Sequence, residues 1–186
     1  TLTVVNSLIN GGGSGRGAIF AVNGPVLIQN TLIAGNSASN TVNSAGGVYL
    51  GNTSSATIIN STIVGNYTGA TGATRSGGIV AEIGSINLTV RNSIVWGNRN
   101  SGNTAPQIVN LTGGTTTVSN SLIEGGFAGG SNIVNSDPLF QTPLIGSPTP
   151  SISGNFQLGA TSPAIDAGAN ATVPADTFDV DGDSNT

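Results

Sequence analysis

The segment Asn60-Ser-Thr-Ile-Val-Gly-Asn66 decides the fold, because versions of it recur along the chain. Four other stretches share its leading asparagine and the branched apolar residue three positions later: Asn6-Ser-Leu-Ile-Asn10, Asn30-Thr-Leu-Ile-Ala-Gly-Asn36, Asn92-Ser-Ile-Val-Trp-Gly-Asn98 and Asn120-Ser-Leu-Ile-Glu-Gly-Gly126. The leading asparagines are separated by 24, 30, 32 and 28 residues. Repetition at such a period is typical of solenoids, in which each repeat is one stacked unit.

Two further β-prone runs complete each repeat. An alternating run precedes each leading asparagine: Leu2–Val4, Val26–Ile28, Thr57–Ile58, Leu88–Val90 and Thr116–Val118. A glycine-rich run stands further upstream: Gly17-Ala-Ile19, Gly46-Gly-Val48, Gly77-Gly-Ile79 and, less clearly, Pro106-Gln-Ile108. These runs are too short for helices and rich in β-branched residues. Three strands per repeat predict an all-β, right-handed parallel β-helix: a three-sided solenoid of about five coils over residues 1–130.

The alignment of the repeats also predicts which side chains face the core. Three strictly apolar rows are placed inside: Ile9/Ile33/Ile63/Val95/Ile123, Val4/Ile28/Ile58/Val90/Val118 and Ile19/Val48/Ile79/Ile108. A fourth row varies in polarity and is expected to face solvent: Asn10/Ala34/Val64/Trp96/Glu124. Variable spacing after each Gly-Asn predicts a family of loops along one edge of the solenoid.

The leading asparagines form a candidate structural site. Asn6, Asn30, Asn60, Asn92 and Asn120 are expected at a corner between two faces of the solenoid. We predict that they form a buried asparagine ladder, in which each carboxamide donates to the next and the turn backbone stays paired.

The composition excludes several classes of function. Charged residues are only 6% of the chain, and the net charge is −4. The four basic residues are dispersed arginines, whereas a nucleic-acid interface needs clustered Lys and Arg. No run of about 20 apolar residues is present, so no membrane-spanning helix is expected.

The C-terminal region carries the most specific motifs. Asn132-Ile-Val-Asn-Ser-Asp-Pro-Leu-Phe140 resembles the segment that follows the last coil in polymorphic outer membrane proteins, whose repeats the Gly-Gly-Ile and Ile-x-Gly-Asn motifs also resemble. Ser162-Pro-Ala-Ile-Asp-Ala-Gly168 resembles the closing motif of the choice-of-anchor Q domain. The resemblance implies a pectin lyase-like β-helix of a secreted or cell-surface bacterial protein, and residues 131–186 as a closing segment that caps one end or reaches a neighbour. In that family a segment close to Asp-x-Asp-Gly-x-x-Arg follows, and Asp179-Val-Asp-Gly182 matches only its start. This incomplete motif and the start within a repeat predict that the natural protein extends further.

Acidic residues are the remaining candidates for chemistry. Within residues 1–130 the only acids are Glu82 and Glu124, which fall in different rows, and the chain has no His or Cys. Paired carboxylates for glycoside hydrolysis are therefore not expected in the coils. Asp179, Asp181 and Asp183, which alternate around Gly182, resemble part of a calcium loop. The alternative is a solvated acidic tail with an Asp-Gly turn.

These observations favour a non-catalytic extracellular structural module, namely a surface stalk, adhesin-like or passenger β-helix that contacts polysaccharide. One alternative is a filament subunit that stacks end to end through open β-helix edges. Weaker alternatives are a fragment of a carbohydrate-active enzyme and an ice-binding surface, for which the threonines are too scattered.

Overall fold

The computed structural model describes residues 1–52, 55–103 and 106–173. The first coil contains β1 (Leu2–Val5), β2 (Leu8–Asn10), β3 (Gly13–Ser14) and β4 (Ile19–Val22). The second contains β5 (Val26–Gln29), β6 (Leu32–Ala34), β7 (Ser37–Ala38) and β8 (Val48–Gly51). The third contains β9 (Ser55–Ile59), β10 (Thr62–Val64), β11 (Tyr67–Thr68) and β12 (Ile79–Glu82). The fourth contains β13 (Asn87–Arg91), β14 (Ile94–Trp96), β15 (Arg99–Asn100) and β16 (Ile108–Asn110).

Equivalent strands of successive coils pair in parallel, which confirms the parallel β-solenoid. The register is the one that the repeat predicts: Ile33 lies beside Ile63, and Ile63 beside Val95. A fourth strand in each coil was not predicted. These two-residue strands, β3, β7, β11 and β15, pair in a separate sheet, and in the second to fourth coils they directly follow the Gly-Asn of the repeat. Two residues are too few to show an alternating pattern in the sequence.

The solenoid makes about three turns in which every face is paired, rather than about five. The two smaller parallel sheets contain four strands each and therefore only three steps between coils. The fifth repeat adds to the large sheet alone, as the long strand β17 (Thr116–Ile123), which pairs with both β13 and β14. The predicted number of five coils was too high because each copy of the motif was taken to represent a complete coil.

The three predicted inner rows do form the core. Their members are buried in one hydrophobic cluster, except for Val4, Ile9 and Ile108, which are partly buried and pack against it. Each row places like side chains one strand spacing apart, so the branched chains interlock along the axis.

Two glycine pairs lie where the backbone closely approaches neighbouring parts of the solenoid. Gly46 lies against the backbone of Tyr67 in the next coil, and Gly77 lies against the backbones of Asn66 and Arg99. The neighbouring Gly47 and Gly78 lie beside Ile63 and Val95, respectively. The Gly-Gly-Ile motif therefore marks a place where two backbones touch and a side chain has no room.

The end of the solenoid that follows the fourth coil is covered. β18 (Ser131–Val134) pairs in parallel with β17. Phe127 and Ile133 pack against the last layer of the core.

Described residues that follow β18 lie along the flank of the solenoid. β19 (Phe140–Thr142) and β20 (Asn155–Leu158) form an antiparallel pair, and a short 3₁₀ turn follows at Asn170–Thr172. Phe140 packs with Ala34 and Val64, and Trp96 is partly buried against the same cluster. The row expected to face solvent is thus buried in its middle coils, because its apolar members receive this cover.

Most of the connection between β19 and β20, residues 143–152, crosses the coils as a strap. The Gly146 amide donates to the carbonyl of Gly97 (2.7 Å), and the Ser151 amide donates to the carbonyl of Gly35 (2.9 Å). Leu144 lies against Gly65 in the coil between them. The strap therefore joins three successive coils through their glycines.

We expect Gly35→Ala to release the strap. The φ of Gly35 is +62°, and a methyl group there would overlap the carbonyl of Ser151. Gly125→Ala is the matched control, since Gly125 has φ +79° but nothing within 4 Å of its added methyl. Both variants carry the left-handed penalty of about 1 kcal/mol, and G35A should lose roughly 2 kcal/mol more. Hydrogen exchange should speed up at Gly146 and Ser151 in G35A only; equal exchange in both variants would show that the strap does not depend on this contact.

Candidate functional site

The leading asparagines lie at the predicted corner, where they shape the backbone. Asn6, Asn30, Asn60, Asn92 and Asn120 all have φ between 48° and 50°, a left-handed conformation that Asn tolerates better than most residues. Their side chains are exposed or half-buried, including that of Asn60, which was expected to be buried. Asn120 accepts from Asn132, and Asn92 exchanges two hydrogen bonds with the backbone of Ala169.

The carboxamide ladder of this protein lies six residues further along each repeat, at Asn36, Asn66 and Asn98. Asn36 Nδ2 donates to Asn66 Oδ1, and Asn66 Nδ2 donates to Asn98 Oδ1, both at 2.9 Å. Each Nδ2 also donates to an inner-row carbonyl of the preceding coil, and each Oδ1 also accepts a backbone amide. Asn66 thus makes four side-chain hydrogen bonds and is fully buried, as a polar core group must be to avoid a desolvation cost.

The ladder ends on a carboxylate. Asn98 Nδ2 donates to Gln107 Oε1 (2.8 Å), and Gln107 Nε2 donates to Glu124 Oε2 (3.0 Å). Arg99 binds both oxygens of Glu124, at 2.7 and 2.8 Å, in a bidentate pair. Each carboxamide in this hydrogen-bonded series donates towards Glu124, so the carboxylate accepts a hydrogen bond at the end of a row of aligned dipoles. Glu124 had been assigned to the solvent-facing row.

A second ladder, of hydroxyl groups, follows the corner asparagines. The backbone amides of Thr31, Ser61 and Ser93 donate to the hydroxyls of Ser61, Ser93 and Ser121, respectively, at 3.1 to 3.2 Å. The Ser or Thr after each leading asparagine could have signalled it, because a hydroxyl at this position binds backbone locally.

A separate group of polar side chains lies on the sheet formed by β4, β8, β12 and β16. Arg75 Nη1 lies 2.7 Å from Glu82 Oε2, an ion pair whose angle is too bent for a hydrogen bond. Tyr49 stacks on Phe20 with ring centroids 4.9 Å apart, and its hydroxyl is buried near the Glu82 carboxylate. Burial first, and the negative charge of Glu82 second, raise the pKa of Tyr49 above its usual value.

We expect Tyr49 to lower stability in alkali. Because the pKa of its phenol is raised in the folded chain, the unfolded chain releases this proton first as the pH rises above about 10. The free energy of unfolding should then fall more steeply with pH in the wild type than in Tyr49→Phe, while the difference between them stays constant from pH 7 to 9. Urea unfolding from pH 7 to 11 measures both; parallel pH curves up to pH 11 would contradict this prediction.

The predicted calcium ligands Asp179, Asp181 and Asp183 lie outside the described residues. Within the described ranges, no three His, Cys, Asp or Glu side chains are grouped so that they could hold a metal ion. The same part of the chain contains no helix long and apolar enough to cross a bilayer.

A groove lies between the solenoid and β20, with a volume of about 850 Å³. Leu8, Leu32 and Thr62 line it from successive coils, and residues 154–157 line it from the C-terminal region. It was not predicted, because it forms only where the C-terminal region lies beside the coils.

Comparison with known proteins yielded no match to a family model, to a curated protein or to a solved structure.

Proposed function

We propose that this chain is a non-catalytic structural module of an extracellular bacterial surface protein, a rigid stalk-like or adhesin-like β-solenoid. The observation that carries this proposal is the uninterrupted amide ladder through Asn36, Asn66 and Asn98, which joins successive coils by buried hydrogen bonds. Such coupling, together with the strap, favours stiffness along the axis. The resemblance of Ser162–Gly168 to the choice-of-anchor Q closing motif supports an extracellular location.

The engagement of the acids supports the non-catalytic part of the proposal. Glu124 is bound by Arg99 and Gln107, and Glu82 is paired with Arg75. A glycosidase needs two carboxylates facing one substrate, whereas these two belong to different faces. The filament alternative has less support, because end-to-end stacking needs two open ends and Phe127, Ile133 and β18 cover one of them.

Removal of one coil in phase tests the proposal. Deletion of residues 60–91 joins Ile59 to Asn92, so one corner asparagine replaces its equivalent. We expect a less stable but cooperatively unfolding protein, shortened by one strand spacing of about 4.8 Å in small-angle scattering.

Deletion of residues 60–83 is the out-of-phase control, and it should abolish cooperative unfolding. If both deletions behaved alike, the modular rod would be wrong. Release of reducing ends from neutral or acidic polysaccharides by the intact chain would contradict the non-catalytic assignment.

A further inference from the structure

From the groove beside β20 we infer a binding site for a linear, uncharged oligosaccharide. The inference rests on the proposed extracellular role and adds the chemical class of the ligand. A volume of about 850 Å³ is in the range of small-molecule sites.

The floor of the groove repeats with the coils. Leu8, Leu32 and Thr62 are register partners on β2, β6 and β10, so they stand one strand spacing apart, about 4.8 Å. Leu8 is 62% exposed, and Phe156 of β20 adds an aromatic ring to the same groove. The ring's edge meets Phe140 in a T-shaped contact, 5.4 Å between centroids, which holds it in place. Apolar side chains in such a row suit the C–H faces of two or three consecutive sugar rings.

The polar groups of the groove are carboxamides. Asn10, Asn30 and Asn60 line it from the solenoid, where Asn10 and Asn30 are exposed and Asn60 is half-buried. Gln157 lines it from β20 and is exposed. A carboxamide both donates and accepts, as does a sugar hydroxyl, so these side chains match hydroxyl groups without needing charge.

The charge of the residues that line the groove determines which class of ligand it favours. Among the described residues that line it, none is charged. An anionic sugar or a phosphate would require Arg or Lys, which recognise such groups by charge-assisted hydrogen bonds.

An extended peptide is the other polymer that such a groove suggests, and the backbone of β20 argues against it. Peptides that add to a sheet pair with the free backbone groups of its edge strand. The Gln157 amide already has a hydrogen-bond partner within the strand, because it donates to Asn155 Oδ1 at 3.1 Å. This amide is therefore not free to pair with an added strand.

The test is a titration with four uncharged hexasaccharides (cellohexaose, xylohexaose, mannohexaose and maltohexaose) and with hexagalacturonate as the anionic probe. We expect at least one uncharged probe to bind and to shift the amide signals of Leu32 and Phe156. Leu8→Arg, which puts a long charged chain into the groove, should weaken binding at least tenfold, and so should Phe156→Ala.

Val22→Arg is the matched control, because Val22 is also an exposed apolar residue of the first coil but lies outside the groove. It should bind like the wild type. The inference is overturned if no uncharged probe binds at millimolar concentration, if only hexagalacturonate binds, if an extended peptide occupies the groove in preference, or if L8R binds as well as V22R. These outcomes leave the coil-deletion result untouched, so failure of the ligand site and failure of the structural role can be told apart.

Discussion

Gly77→Ala is expected to destabilise the protein by about 4 kcal/mol or more, the largest effect of any single methyl group that we foresee. The added carbon would overlap the backbone oxygens of Asn66 and Arg99. Backbone held in two neighbouring coils cannot move aside as a flexible side chain can, so the coils must separate locally. Such a loss is comparable to the whole stability of a marginal domain. Urea unfolding measures it.

Gly113→Ala is the control for this variant. Its methyl group would have Ser85 Oγ as the nearest atom, at 3.8 Å, and the φ of Gly113 is not in the left-handed region. We expect a change within about 1 kcal/mol, with a small gain possible from the less flexible unfolded chain. If G77A were as stable as G113A, the Gly-Gly motif would have another cause than backbone contact between strands.

Asn66→Ala is expected to cost about 4 kcal/mol. Alanine would leave the Asn36 amide and Nδ2, the Ile33 carbonyl and one lone pair of Asn98 without their partner in a buried site. Each unpaired buried group costs roughly 1–3 kcal/mol, and the lost volume adds to this. The free energy of unfolding in urea is again the measurement.

Asn10→Ala separates the ladder from asparagine content in general. Asn10 is exposed, and its carboxamide has no partner within the described ranges, so its loss should change stability by less than about 0.5 kcal/mol. An equal loss in N66A and N10A would mean that the ladder contributes nothing beyond ordinary surface asparagines.

The core could be predicted from the sequence because every coil requires apolar residues at the same positions. A position that points inward must be apolar in each repeat, so Ile33, Ile63 and Val95 align without knowledge of the structure. The ladder was assigned to the wrong row because asparagine recurs at two positions per repeat. One signal does separate them: asparagine is favoured among non-glycine residues in left-handed turns, which suits the corner residues Asn30 and Asn60.

The flank of the solenoid could not be predicted in this way. Ala34 and Val64 are buried by Phe140, which belongs to no repeat, so no alignment of coils reveals the contact. Arg75 likewise comes from a loop whose length and sequence vary between repeats, so the alignment of the coils does not reveal its pairing with Glu82. Non-periodic contacts of this kind require the three-dimensional structure.

The stacking of the coils is the claim on which the rest depends, and one distance tests it. Thr3, Leu27, Thr57, Thr89 and Thr117 form a single register row across the large sheet, and Thr3 and Thr117 at its ends are exposed. The chain has no cysteine, so Thr3→Cys and Thr117→Cys place two spin labels without background. Four strand spacings of about 4.8 Å give a backbone separation of about 19 Å between the two labelled positions. Pulsed electron–electron double resonance should therefore show a narrow distribution of distances between the labels. A broad distribution, or one centred at more than twice that distance, would contradict the solenoid.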